Sequence, residues 1–394
     1  MSGNDHHPGF WAVVLREISR IRTHSRYSLT MLVLPLVSFA LTWGLFSNQY
    51  PQDLPVAVVD LDHSSLSRTV IRSIDATSVI EVSFQVSDPA KARELMLRGR
   101  IYAMVILPHG LEEDILRGRG AEVMGYTNTQ MLLPGSIISS SLSAAVATVS
   151  AGINFQSRLK RGEMEEAAMA HLEPVNLDRH VLFNPQLNYI YFLAAALCPT
   201  FFQIFILMTA VMAMGSEFKN STARKWLETA GGSVWKAVAG KLSVYFISFS
   251  LLGLVMLAII LNGFGVPLRG SLSCLITATV LLVLAYLGCG IILVFLSPSL
   301  RMALSAASFF SGTAFAFVGL TFPQEGMPAL GKAWSSMLPL THYLHLFLEQ
   351  TIRSAELSES ISDLLILLIF AMAGIGLIPI LKSHMKEMRY WGKP

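Results

Sequence analysis

Six uncharged apolar runs decide what this chain can become. Residues 27–46, 189–214, 242–261, 272–296, 302–322 and 364–381 contain no Asp, Glu, Lys or Arg, and each is near the roughly 20 residues that a helix needs to cross a bilayer. Inside a bilayer every backbone N–H and C=O must be paired within its own segment, so such runs fold as helices. With 53% hydrophobic and 14% charged residues over 394 positions, the expected class is an α-helical polytopic membrane protein with six transmembrane helices.

The remaining charges orient it. Arg16, Arg20, Arg22 and Arg26 precede the first run, and Lys219, Arg224, Lys225, Lys236 and Lys241 fill the loop 215–241. Lys382, Lys386, Arg389 and Lys393 lie in a basic tail, 382–394. Lys and Arg concentrate on the cytoplasmic side, so both termini are expected there. Within residues 1–26, Phe10, Trp11, Val14, Leu15, Ile18 and Ile21 share a face with Arg16, Arg20 and Arg22 largely opposite, the pattern of an amphipathic helix on the inner membrane surface. Residues 27–46 are too long for a signal-peptide core and read as an uncleaved first span, kinked at Pro35.

Residues 49–186 are the one sizeable water-compatible region, expected to form an extracytoplasmic α/β domain inserted between the first and second spans. Strands are predicted at 56–61, 79–86, 101–107 and 121–128. Helices are predicted at 64–74, capped by Ser64 or Ser65, at 88–98, opened by Asp88 and Pro89, and at 109–116. Asp60, Asp62 and His63 cluster at the first strand end; a strand-to-helix turn with an Asp cap explains them in preference to a metal site. Residues 131–155 are uncharged and long enough to span, but seven Ser and Thr dilute them. Counting them would also place the basic tail outside. They are read as an extracytoplasmic helix continuing towards Ala170, within 131–170.

Residues 323–360 are expected to form an outer-leaflet hairpin of short helices. His342 and His345 sit on adjacent turns there and read as interfacial histidines hydrogen-bonded to backbone, not as metal ligands. Cys198, Cys274 and Cys289 all fall in apolar segments, as buried small hydrophobes do. Neither a catalytic set nor a metal site is expected.

The loop 215–241 carries a resemblance. The order Glu217, Ser221-Thr222, Leu227, Thr229 and then Gly240-Lys241 before an apolar run resembles the cytoplasmic loop of ABC-2 type exporter permeases, although Ser221 stands where that family usually has Gly and Ala230 where it has Pro. Lys219 and Arg224 replace frequent acids. Thr321-Phe322-Pro323, Met327-Pro328 and the segment Leu338-Pro339-Leu340-Thr341-His342-Tyr343 are similar to the same family. So is the order of one span, a large outside domain and five spans, which covers nearly the whole chain.

That resemblance implies a bacterial inner-membrane permease subunit of an ATP-driven exporter, paired with a second copy or a paralogue. A separate ABC ATPase subunit would bind ATP and Mg, with no cofactor in this chain. Contact with membrane lipids is implied, a periplasmic adaptor is possible, and no nucleic acid is involved. Coupling to the ATPase is expected at Glu217, Thr222, Trp226, Leu227 and Lys241 in a short helix over 222–227 and its flanks. A substrate path is expected past Phe309, Phe310, Thr313 and Phe315, suiting an amphiphilic or apolar cargo such as a drug-like molecule, lipid or glycolipid. The Ser- and Ala-rich helix 131–151 has to bury a face, within the chain, against a second permease or against the adaptor. The alternative class is a membrane-anchored receptor or scaffold that binds a ligand without transport. Ion-coupled carriage is disfavoured because the spans hold no ionisable residue at depth. Gly240-Lys241 is no phosphate loop, since Trp235 replaces the first Gly and Leu242 the Ser or Thr.

Overall fold

The structure, a computed structural model, describes residues 8–46, 52–167, 188 and 190–386. It divides into two compact units, residues 50–181 and residues 1–49 with 182–394.

The larger unit is helical. Helix α1, Phe10–Thr23, precedes α2, Ser25–Leu45, which after one α-helical turn, Ser25–Ser28, contains a π turn, Leu29–Val33. Pro35 falls in the first turn of the α-helical stretch that follows, where its missing N–H is tolerated and the wider upstream turn makes room for its ring. The next long helices are, in chain order after the smaller unit, Ala195–Lys219, Val234–Gly263, Leu272–Leu296, Leu300–Phe317 and Leu357–Lys386. Residues 323–360 form two short helices, Ala329–Ser336 and Pro339–Leu348, followed by a π turn, Glu349–Arg353.

Leu272–Leu296 is central, touching Ala195–Lys219 and Leu357–Lys386. Its contact with the last helix depends on missing side chains: a Cβ on Gly374 would lie 2.4 Å from Gly288 Cα, and one on Gly288 would lie 2.9 Å from Phe370 O. In membranes, where apolar burial drives helices together weakly, such small-residue crossings let backbones approach.

The smaller unit holds a four-stranded sheet, β1 Leu54–Asp60, β2 Ile80–Val86, β3 Ala103–Leu107 and β4 Met124–Thr127, in the order β2-β1-β3-β4. β1 runs parallel to β2 and β3, and β4 antiparallel to β3. Successive β1 side chains go to opposite faces. Val56 and Val58 join Val70, Ile71, Ile74 and Leu111 in one core, and Ala57 and Val59 join Ala92 in the other. The predicted caps form: Ser64 Oγ accepts from Ser67 N and Asp88 Oδ1 from Ala90 N.

Seven helices among the described residues are long and apolar enough to cross a membrane, one more than the six expected. The seventh, Pro134–Lys160, is the uncharged run at 131–155. Its Ile138, Leu142 and Ala145 complete the sheet core of the smaller unit, while Ser139, Ser140, Ser143 and Ala144 are exposed. It does not continue towards Ala170. The helix ends at Lys160, Arg161 caps it, and Gly162 turns the chain at φ 87°; residues 168–187 lie outside the described residues.

Candidate functional site

Five charged side chains meet where α1 crosses the loop 215–241. Gly240 makes the crossing possible, because a Cβ there would lie 2.9 Å from Phe10 O and 3.0 Å from Val13 Cβ. Helix α1 therefore lies backbone-close against Val234–Gly263, and the next residue, Lys241, reaches into the space behind it.

Lys241 is fully buried. Its Nζ donates to Glu17 Oε2 and, at 2.9 Å, to Glu217 Oε1. Glu217, also fully buried, accepts from Arg20 Nη1 at 2.5 Å, from Arg16 Nη2 at 2.9 Å and from Thr222 Oγ1. Tyr245 Oη donates to Glu17 Oε1 at 2.6 Å, and Ser216 Oγ accepts from Arg20 Nη2 at 2.6 Å and lies 2.9 Å from Tyr27 Oη. Three cations thus enclose two carboxylates whose oxygens are all engaged. A buried ion pair is tolerable only when the remaining lone pairs and protons find partners; here tyrosine, serine and threonine hydroxyls supply most of them, and Arg16 Nη1 is left buried without one.

The loop helix, Ala223–Thr229, is fixed to the same assembly. Thr222 N donates to Glu217 O at 2.8 Å, and Trp226 Nε1 donates to Ala237 O at 3.1 Å with Lys241 Nζ 5.2 Å from its ring centroid. Trp226 and Leu227, both expected coupling residues, are buried, so they offer no apolar face to a partner: their surface is spent inside the chain. Arg224, Lys225 and Glu228 form the exposed side, with Arg224 Nε 3.1 Å from Glu228 Oε1. The expected face of α1 is corrected for two of its arginines: Arg16 and Arg20 turn inward onto Glu217, while Trp11 and Leu15 are exposed, as side chains meant for a membrane surface are.

All five expected coupling residues, Glu217, Thr222, Trp226, Leu227 and Lys241, belong to this one region. Glu17, Arg16, Arg20, Tyr27 and Tyr245 were not singled out for it. The available signal was Glu17, an acid among arginines on an otherwise basic helix. Lys241 Nζ lies between two carboxylates, which removes it from any phosphate-binding role.

The four expected path residues gather elsewhere. Phe309 and Phe310 place their rings 5.6 and 5.9 Å from that of Trp334, which donates Nε1–H to Thr313 Oγ1 at 3.2 Å; Phe315 packs on the helical core. Trp334, on Ala329–Ser336, is the organising residue that the sequence reading left out. In the smaller unit Asp60 holds the strand-to-helix turn and Asp62 caps Leu111–Leu116: Asp60 Oδ1 accepts from the backbone of Asp62 and His63, and Asp62 accepts from Leu111 N at 3.0 Å and Glu112 N at 3.2 Å. Burial opposes ionisation of Asp62, but its hydrogen bonds from Ser64 and from the backbone of residues 110–112 outweigh that and hold its pKa below the usual carboxylate value.

Residues 26–378 match a protein family described as ABC-2 family transporter protein. Over 349 residues, 88% of this chain and 90% of the relative, the sequence is 19% identical to a probable multidrug ABC transporter permease, YbhR, of Escherichia coli (strain K12). The same figures hold for the protein of that description in Escherichia coli O157:H7.

Proposed function

The chain belongs to the ABC-2 transporter family, whose membrane subunits work with separate ABC ATPases, and we propose that it is an exporter permease moving an amphiphilic or apolar cargo. ATP and Mg are bound by the partner subunit. Loop 215–241 and both termini face the cytoplasm, and the chain crosses the bacterial inner membrane six times. The α/β unit stands outside and turns the exposed Ser140 and Ala144 face of Pro134–Lys160 towards a second permease or a periplasmic adaptor. Cargo passes the aromatic group around Trp334.

The buried cluster at Lys241 carries this reading. It ties α1, the loop helix, the end of Ala195–Lys219 and the start of Val234–Gly263 together through charge-assisted hydrogen bonds, so a displacement of the loop helix is transmitted rather than absorbed. Glu217, Thr222, Trp226, Leu227 and Lys241 then transmit force without touching the ATPase, and Arg224, Lys225 and Glu228 make the contact. In the test, Arg224→Glu with Lys225→Glu leaves membrane insertion and thermal stability at the parent value while co-purification of the ATPase and export both fall. Unchanged co-purification and export in that variant would refute the assignment.

A further inference from the structure

At the far end of the helical unit from the loop helix in sequence, two carboxylates are buried with no Lys or Arg bridging them among the described residues. Glu349, in the π turn after Pro339–Leu348, and Asp363, on Leu357–Lys386, are each 6% exposed. Their ion-pair partners are imidazoles. His345 Nδ1 lies 2.7 Å from Asp363 Oδ2 and 3.5 Å from Glu349 Oε1, and His342 Nδ1 lies 2.9 Å from Asp363 Oδ1. Two carboxylates are thus buried among imidazoles, with no Lys or Arg ion-paired to either among the described residues, and buried carboxylates need cationic or hydrogen-bonding partners.

We propose that His345, Glu349 and Asp363 form a binding site for one divalent zinc ion. One atom from each, His345 Nδ1 and a carboxylate oxygen of Glu349 and of Asp363, lies within 4.8 Å of the others. Zinc holds His nitrogen and carboxylate oxygen at about 2.0–2.2 Å in a tetrahedron, which sets ligand atoms roughly 3.4 Å apart. The His345–Glu349 pair already has that separation, and the His345–Asp363 pair has to open by about 0.7 Å.

The surroundings have the form that orients metal ligands. Asp363 uses its second oxygen on His342, and Glu349 uses Oε2 to accept from Ser360 Oγ at 2.6 Å, itself the acceptor for Gln350 Nε2 at 2.9 Å. Carboxylates and imidazoles held by such outer partners are preset for an ion. An imidazole in the set favours zinc over magnesium or calcium, which prefer oxygen alone.

A separate observation concerns the cleft that His345 and Asp363 line and that Glu349 does not. It has a volume of about 380 Å³ and is lined by Gln324, Lys332, Thr341, His342, His345 and Asp363 among others. Thr341 is 4% exposed, and its Oγ1 is buried without a hydrogen-bond partner, an orphan of the kind that water on a three-ligand zinc would satisfy. His345 is half exposed and gives the ion a way in. Bound there, zinc fastens the short-helix hairpin to the last long helix.

The test uses the full chain in detergent, without a histidine tag, with His6 and His7 replaced by Ala, stripped by chelator and titrated with Zn2+ and with Co2+ as an optical probe. One ion per chain is expected, with tetrahedral Co2+ absorption. His345→Gln, at the exposed ligand and therefore mild for folding, should weaken binding by at least about 100-fold, and His342→Gln by about 10- to 100-fold as an outer partner. Zn2+ should raise the Tm of the parent by mass action and leave that of His345→Gln unmoved. Substoichiometric binding, or a His345→Gln affinity within about threefold of the parent, would overturn the proposal.

Discussion

Lys241→Met is the sharpest perturbation of the buried cluster. The substitution keeps the length and apolar stem of the side chain and removes the one cation shared by Glu17 and Glu217. The two carboxylates fare differently. Glu217 retains Arg16, Arg20 and Thr222, whereas Glu17 keeps Tyr245 as its remaining hydrogen-bond partner. The loss therefore concentrates on one 1%-exposed carboxylate. Breaking a buried pair by removing one partner destabilises by about 3–5 kcal/mol, and the lower end applies because Tyr245 still donates. At about 2–4 °C per kcal/mol for a unit of this size, the expected fall in Tm is about 6–12 °C. It is read from thermal loss of the monodisperse peak of the detergent-solubilised chain.

The decisive partner is Glu17→Gln in the same chain. With lysine and carboxylate both neutralised, no uncompensated charge remains, and the double variant should recover most of the loss, an interaction energy of about 2 kcal/mol. If Lys241→Met lies within about 2 °C of the parent, or if the two losses simply add, the charges are not compensating one another and the account of the cluster fails.

Gly374→Val should lower the amount of folded protein in membranes, because its Cβ would sit 2.4 Å from Gly288 Cα and meet backbone that cannot yield; overpacking of this kind costs about 3 kcal/mol. Gly376→Val, with nothing within 4 Å of its Cβ, is the control, and equal yields would refute the tight crossing. Asp62→Asn should reduce amide-exchange protection of residues 111–116 at pH 7 by about fivefold, the equivalent of a lost cap of about 1 kcal/mol. Since the folded pKa of Asp62 is depressed, the stabilisation is fully present above the unfolded carboxylate pKa and vanishes as pH falls through the folded one. A difference from Asp62→Asn that persists in strong acid would contradict this.

Where a structural decision depends on near neighbours in sequence, the residues announce it. The four strands of the α/β unit begin or end within three residues of the alternation that predicts them, and Ser64 and Asp88 cap the helices they precede. The run 272–296 becomes helix over its full length because nothing in it interrupts apolar burial or backbone pairing. The helix expected towards Ala170 fails for a local reason that was visible, the glycine at 162.

The cluster was legible only by half. Glu217 and Lys241 are marked by the family-like spacing, but Glu17 lies 224 residues before Lys241, and no periodicity links them. Amphipathic patterning also misassigned Arg16 and Arg20, since it ranks residues by solubility and has no knowledge of a buried carboxylate waiting opposite. Trp226 misled for the same reason: an apolar ring on a polar loop signals burial, not what buries it.

The separation between Glu17 and Lys241 also sets a schedule for synthesis. When the ribosome has made Glu17, that carboxylate has no lysine, and 224 more residues, including the whole α/β unit, must follow before the lysine is complete. At about 5–20 residues per second this interval is roughly 10–45 s. Throughout it, α1 and the first span are a nascent fragment whose carboxylate has to stay in water. Seating of α1 can therefore close only after the third long helical segment of the helical unit has begun to emerge, which makes it a late checkpoint of translation: chains truncated before residue 241 leave Glu17 on a basic N-terminal helix without its lysine, an unseated helix for quality-control proteases to recognise.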